Sequence, residues 1–175
     1  MVERTIGDKR LRMVRGDITE IDVEAFVFDI TEDAKLGSGF GGAIQQRGGI
    51  VIQKELDEIG AVPTGEAVVT QAGILKADYI IHANGPKFRE ENEKEKLERT
   101  VTSALARAEE KGVKRIAFPP IGTGMYQVPM DLCANVMVDT ISRHLANGSG
   151  LEEVLIVLQD PREIVPFEAK FKEGA

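Results

Sequence analysis

The chain has 175 residues, enough to bury a sizeable core and within the usual span of one domain. Apolar residues make up 42% of it and charged residues 29%, the balance of a soluble globular protein, and no apolar run approaches the length that spans a bilayer. With 22 basic against 29 acidic residues the formal net charge is −7, a poor composition for a general nucleic-acid binder, because phosphate contacts dominate that affinity.

Residues 1–5 carry no signal-peptide pattern, which with the lack of a spanning segment points to the cytoplasm. Strands are expected at 5–6 and 10–14, folded about the Gly7-Asp8 turn, and at 23–29. Residues 41–58 have helical character that Gly48-Gly49 must interrupt. Strands follow at 66–70 and 79–83. Tyr79-Ile80-Ile81 is a nearly continuous apolar run, like Ile116-Ala117-Phe118 and Val154-Leu155-Ile156-Val157-Leu158 further on. Such runs suit central strands covered on both faces. The segment 89–99 is dense in charge and reads as a solvated helix surface. Leu97, Val101, Ala104, Leu105 and Ala108 recur at three- and four-residue steps, a helical stripe that stops at Gly112. After a strand at 115–119, a helix over 129–147 stacks Cys133, Met137, Ile141 and Leu145 at four-residue intervals. A strand at 154–159 and a short helix through Ile164, Phe167 and Phe171 follow. Strands and helices alternate without a linker or repeat. This predicts one α/β domain over 1–175, with a mixed, largely parallel sheet between two helical layers.

Two glycine-rich segments follow strands and lead toward helices. One is Leu36-Gly37-Ser38-Gly39-Phe40-Gly41-Gly42-Ala43-Ile44; the other is Phe118-Pro119-Pro120-Ile121-Gly122-Thr123-Gly124-Met125-Tyr126. Glycine lets a ligand approach the backbone, and a helix start offers free N–H groups and the positive end of its dipole. In a parallel sheet both segments would lie at the carboxyl ends of strands, where such folds place their ligands. Together they would clasp a diphosphate from two sides without a lysine. The alternative is that the glycines only make tight turns. Gly37-x-Gly39-x-x-Gly42 has dinucleotide-fold spacing, yet it is separated from its strand, and Asp57 and Glu58 downstream are helical, so it is not read as a Rossmann fingerprint.

Arg15-Gly16-Asp17-Ile18-Thr19 precedes the strand at 23–29. An aspartate there accepts a hydrogen from an adenine amino group while the apolar neighbour packs the ring; Asp and Thr are equally ordinary helix caps. His82 ends a predicted central strand and reads as structural, since a general base needs a polar partner. His144 belongs to a helix surface or boundary. Cys133 falls on an apolar stripe as a core thiol. As the only cysteine it excludes an intrachain disulfide and forms no metal-ligand cluster. Asp29 and Thr31 stand at the ligand edge. They either contact a ribose hydroxyl or polarise a water, or they are a solvated loop carboxylate and a turn threonine.

In order and spacing these pieces resemble the macrodomain family over nearly the whole chain. The matching motifs are Gly16-Asp17-Ile18-Thr19, Gly42-Ala43-Ile44, Pro63-Thr64-Gly65-Glu66-Ala67 leading into Val68-Val69-Thr70, Ile80-Ile81-His82, and Ala117-Phe118-Pro119 followed by Gly122-Thr123-Gly124. The resemblance implies a three-layer α/β/α sandwich that binds ADP-ribose in a cleft on the carboxyl edge of the sheet. Asp17 would hold the adenine amino group with Ile18 beside the ring. Gly39, Phe40, Gly41 and Gly42 would line the diphosphate and distal ribose, and Gly122, Thr123, Gly124, Met125 and Tyr126 would close the other side. The chain also departs from the family. Where many members carry Asn-Ala-Ala-Asn it has Phe28-Asp29-Ile30-Thr31. Where hydrolytic members often carry an aspartate it has Gly41, and Gln159 replaces the ring that commonly stacks on adenine. The expected function is binding of ADP-ribose or a related adenine nucleotide, free or attached to protein, with no metal or cofactor. One alternative is a hydrolase of ADP-ribosyl esters, O-acetyl-ADP-ribose or ADP-ribose 1''-phosphate, with Asp29 and Thr31 as catalytic candidates. The other is a divergent member that takes another nucleotide or an RNA end.

Overall fold

The computed structural model describes residues 2–173. Seven strands form one sheet: β1 (Val2–Ile6), β2 (Lys9–Arg15), β3 (Ala25–Asp29), β4 (Ala67–Gln71), β5 (Tyr79–Ala83), β6 (Arg115–Phe118) and β7 (Glu153–Leu158). Their spatial order is β1-β2-β7-β6-β3-β5-β4. The inner strands, from β2 through β7, β6 and β3 to β5, are parallel. β1 and β4 are antiparallel edges, with Val2 opposite Met13 and Ala67 opposite Ala83. Five helices cover the sheet: α1 (Gly39–Gly48), α2 (Val51–Ile59), α3 (Glu93–Glu110), α4 (Met130–Ala146) and α5 (Pro161–Glu173). The result is the expected α/β/α sandwich.

Side chains alternate between the faces of each strand. Ala25 and Val27 of β3 pack with Leu97 and Val101 of α3, Met137 of α4 and Phe167 of α5. Phe26 and Phe28 pack on the other face with Ile44 of α1 and with Ile52 and Leu56 of α2. All of β7 is buried, which is why Val154–Leu158 is an unbroken apolar run.

The expected strand at 79–83 is β5 without adjustment. The helix expected over 41–58 is two helices: α1 begins earlier, at Gly39, and Gly49 parts it from α2. The charged run 89–99 divides between a loop and the first turns of α3. The last strand starts at Glu153 rather than Val154, with its carboxylate inside the protein. Arg10, Arg12 and Arg115 pair with it at 2.6, 3.3 and 2.9 Å. Burial raises the Glu153 pKa, but the Arg115 hydrogen bond, the Arg10 charge and the Arg12 bond outweigh it and hold the carboxyl below its ordinary range. This cluster knits the amino ends of the parallel strands. At the opposite, carboxyl edge the chain leaves the sheet at Gly16, Ile30, Asn84, Pro119 and Gln159, and the bonds Gly16 N–H to Leu158 O and Ile30 N–H to Ala83 O carry the ladder to the rim. Among the described residues no helix is long and apolar enough to cross a membrane.

Candidate functional site

Adjoining hollows run along the carboxyl edge. The first, about 350 Å³, lies between Arg15, Gly16, Asp17, Phe40, Arg47 and Gln159. Gly16, Phe40 and Gln159 also border the second, about 270 Å³, which reaches Ile18, Asp29, Thr123 and Gly124. Asp29 separates it from a cleft of about 40 Å³ walled by Ile30, Thr31, Gly122, Met125 and Tyr126. Thr31, Met125 and Tyr126 then open onto a hollow of about 700 Å³ edged by Glu32, Asp33, Lys87 and Phe88. Shared walls make these one trough from Asp17 to Tyr126.

The trough brings together Asp17, Ile18, Asp29, Thr31, Phe40, Gly122, Thr123, Gly124, Met125 and Tyr126. Gly39, Gly41 and Gly42 do not wall it; they form the first turn of α1. Ser38 at the N-cap makes no side-chain cap bond; Gly42 N–H donates to Ser38 O at 3.4 Å, and among the described residues the amides of Gly39, Phe40 and Gly41 keep the free donors of an uncapped helix start. At Gly41 a Cβ would stand 1.7 Å from the carbonyl oxygen of Leu36, so the backbone of the preceding loop leaves no room for any side chain.

The second loop ends short of its helix, as the expected helix start at 129 implies. α4 starts only at Met130, and N-caps on Pro129, so residues 122–126 form a turn ahead of the helix rather than its first turn. Their amides are also unequally available. Gly122 N–H donates to Asp29 Oδ2 at 3.0 Å and is not free for a phosphate. Gly122 instead supplies backbone geometry, with φ of 81° and Val128 too close for a Cβ. Among the described residues nothing accepts from the N–H groups of Gly124, Met125 and Tyr126.

Asp17 proves to be both cap and groove wall. Its Oδ1 accepts from Thr19 N–H at 2.9 Å and from Thr19 Oγ1 at 2.7 Å, while Oδ2 accepts from Arg47 Nη1 at 3.1 Å. Burial raises its pKa, but the Thr19 bonds and the Arg47 guanidinium outweigh that and keep the carboxyl below the usual range. Arg47 was not among the expected residues. Its signal was the spacing Phe40, Ala43, Arg47, one face of a helix.

Asp29 is not a solvated loop carboxylate. Oδ1 is buried without a partner, and burial, opposed only by the Gly122 N–H, lifts the pKa to about 7. Burial, then the negative charges of Asp29 and of more distant carboxylates, push the Tyr126 hydroxyl up. His82 is fully buried, with Nε2 2.9 Å from Thr70 Oγ1, and burial depresses its pKa to about 3, so it is a neutral structural group. His144 ties α4 to α3 through Glu109 at 2.7 Å. Cys133 is buried against the Ile121 carbonyl and its thiol is pushed well up by burial.

A mixed sheet sandwiched between helices, with a trough along the carboxyl ends of its parallel strands, defines a small-ligand α/β protein. The Macro domain family model matches residues 30–137, and the chain belongs to that family. A macro domain-containing protein of Caldanaerobacter subterraneus is 36% identical over 171 residues, covering 94% of this chain and 97% of the relative. A Pantoea vagans protein called O-acetyl-ADP-ribose deacetylase 1 is 35% identical over 158 residues, covering 87% and 92%. Among solved structures, a mutant Oceanobacillus iheyensis macrodomain with ADPR superposes with a TM-score of 0.92 at 28% identity, over 98% of this chain and 96% of the other. The same macrodomain with ADP gives 0.89 at 28%, over 98% and 94%.

Proposed function

We propose that this macrodomain binds ADP-ribose, free or attached to protein, in the edge trough. The observation that carries the reading is the row of adjoining hollows: Asp17 at one end, Phe40 of the uncapped α1 start and the free amides of residues 124–126 midway, and an open mouth beyond Tyr126. Adenine would lie by Asp17, displacing Arg47 from Oδ2. The diphosphate would take the backbone N–H groups, and the distal ribose would face Asp29 and Thr31. The open mouth supports partners that carry ADP-ribose on a protein, because an attached chain has room to leave. The ADP- and ADPR-bound Oceanobacillus iheyensis structures support the same ligand class. We place this domain in the cytoplasm. Calorimetric titration with ADP-ribose is expected to show saturable binding, and a concentration a hundredfold above Kd to stabilise the fold by about 2.7 kcal/mol. Absence of both heat and thermal stabilisation at millimolar ADP-ribose would remove the proposal.

Hydrolysis is the second reading, favoured by Asp29. A buried carboxyl with an unpartnered oxygen and a pKa of about 7 suits proton transfer near neutral pH. The Pantoea vagans relative called a deacetylase belongs to the same argument. Asp29→Asn is expected to abolish turnover of O-acetyl-ADP-ribose while leaving ADP affinity in place. Undiminished turnover would sink that role.

A further inference from the structure

Phe40 is 41% exposed on the first turn of α1. It stands where the first two hollows meet, sharing both with Gly16 and Gln159 and the first with Asp17. Its underside is backed. The Phe28 ring lies 6.0 Å away at 31°, only 8% exposed, and His82 in turn meets Phe28 edge-on at 6.1 Å and 81°. Beside it, Gly41 lies so close to the Leu36 carbonyl of the preceding loop that no side chain fits there. One turn further along the same helix face, Ala43 is small and leaves the first hollow open beside the ring. Gln159, after β7, offers no ring; its own N–H is held by Glu163 and its carbonyl by Arg15.

We propose that Phe40 is the stacking platform for the purine of the bound nucleotide, supplied from α1 because the end of β7 supplies none. Resting on the ADP-ribose reading, this assigns an affinity-determining residue to the base subsite. Asp17 reads the edge of the purine and Phe40 takes its face. A ring face accepts any base, so hydrogen-bond discrimination falls to Asp17. Phe28 acts as the backing of this platform.

The experiment compares wild type, F40L and F40W with AMP, ADP, ADP-ribose and ribose 5-phosphate. F40L keeps apolar bulk but loses the ring face. It is expected to weaken AMP, ADP and ADP-ribose by a common factor of about tenfold, with an unfolding midpoint close to wild type because the side chain is substantially exposed. Ribose 5-phosphate affinity is expected not to change. The chain has no tryptophan, so F40W introduces a single reporter whose emission is expected to be quenched by AMP but not by ribose 5-phosphate, with nucleotide affinity retained. AMP binding equally tight in F40L and wild type overturns the platform, as does a loss confined to ADP-ribose, which would put the ring under the distal sugar. If wild type itself binds none of the adenine ligands, the ADP-ribose reading falls first and takes the platform with it. That result is distinct from tight wild-type binding indifferent to F40L.

Discussion

Asp29 closes β3 with Oδ2 turned onto the Gly122 amide and Oδ1 shut away from any partner. An acid whose native pKa, about 7, lies above its ordinary 3.8 holds its proton more tightly folded than unfolded. Stability therefore falls as pH rises between those two values, by up to about 1.4 kcal/mol per pH unit, and levels off above 7. The Asp29→Asn variant keeps an acceptor for Gly122 and has no charge to bury. Urea denaturation across pH is expected to find it more stable than wild type at pH 8, with the gap closing toward pH 4. Parallel curves for the two proteins would mean that Asp29 titrates as an ordinary surface carboxyl. The Gly122 contact, which only partly offsets that burial, joins residues 93 positions apart in sequence, and nothing local to either residue announces it. From sequence Asp29 was only one of two edge residues with a bland alternative.

At the scale of elements, local patterning carried far. The apolar runs located β5, β6 and β7, and the stripe through Leu97 and Ala108 located α3, because period and burial are the same fact for a covered strand or an amphipathic helix. Interlocking of the segment before α1 with that helix was not legible. The loop's path puts the Leu36 carbonyl where a Gly41 side chain would go, while a Cβ at Gly42 would meet only the Gly37 oxygen at 3.3 Å. Gly41 is thus required by packing, and the site of the aspartate found in hydrolytic relatives is closed rather than merely vacant. Gly41→Asp is expected to lower stability by about 1–3 kcal/mol or more and to confer no hydrolase activity, whereas Gly42→Ala is expected to be much milder. Chemical denaturation compares them, and a Gly41→Asp protein as stable as wild type would show that the loop moves aside freely. The start of α4 was legible: the helix expected from 129 begins at Met130, and residues 127–129 separate it from the glycine turn.

For the molecule as a whole, an anion-binding trough on a chain of net charge −7 poses an electrostatic question. Arg15, Arg47 and Lys87 border the trough, but Asp17, Glu32, Asp33 and Glu163 stand on the same rim. The net field therefore does not favour a dianion, and attraction must come from backbone dipoles at short range, at the α1 start and in residues 124–126. Salt has opposite consequences for the two sources. Screening weakens attraction between exposed charges, whereas it relieves the long-range repulsion of an acidic protein and leaves close amide contacts nearly untouched. Kd for ADP-ribose is accordingly expected to stay within about twofold, or to tighten slightly, between roughly 50 and 500 mM salt. A site built from arginine and lysine would instead weaken steeply, as would recognition of an RNA end through several phosphates. Calorimetry at the two salt concentrations separates these cases, and a tenfold loss at high salt would transfer the diphosphate from the backbone amides to the basic rim.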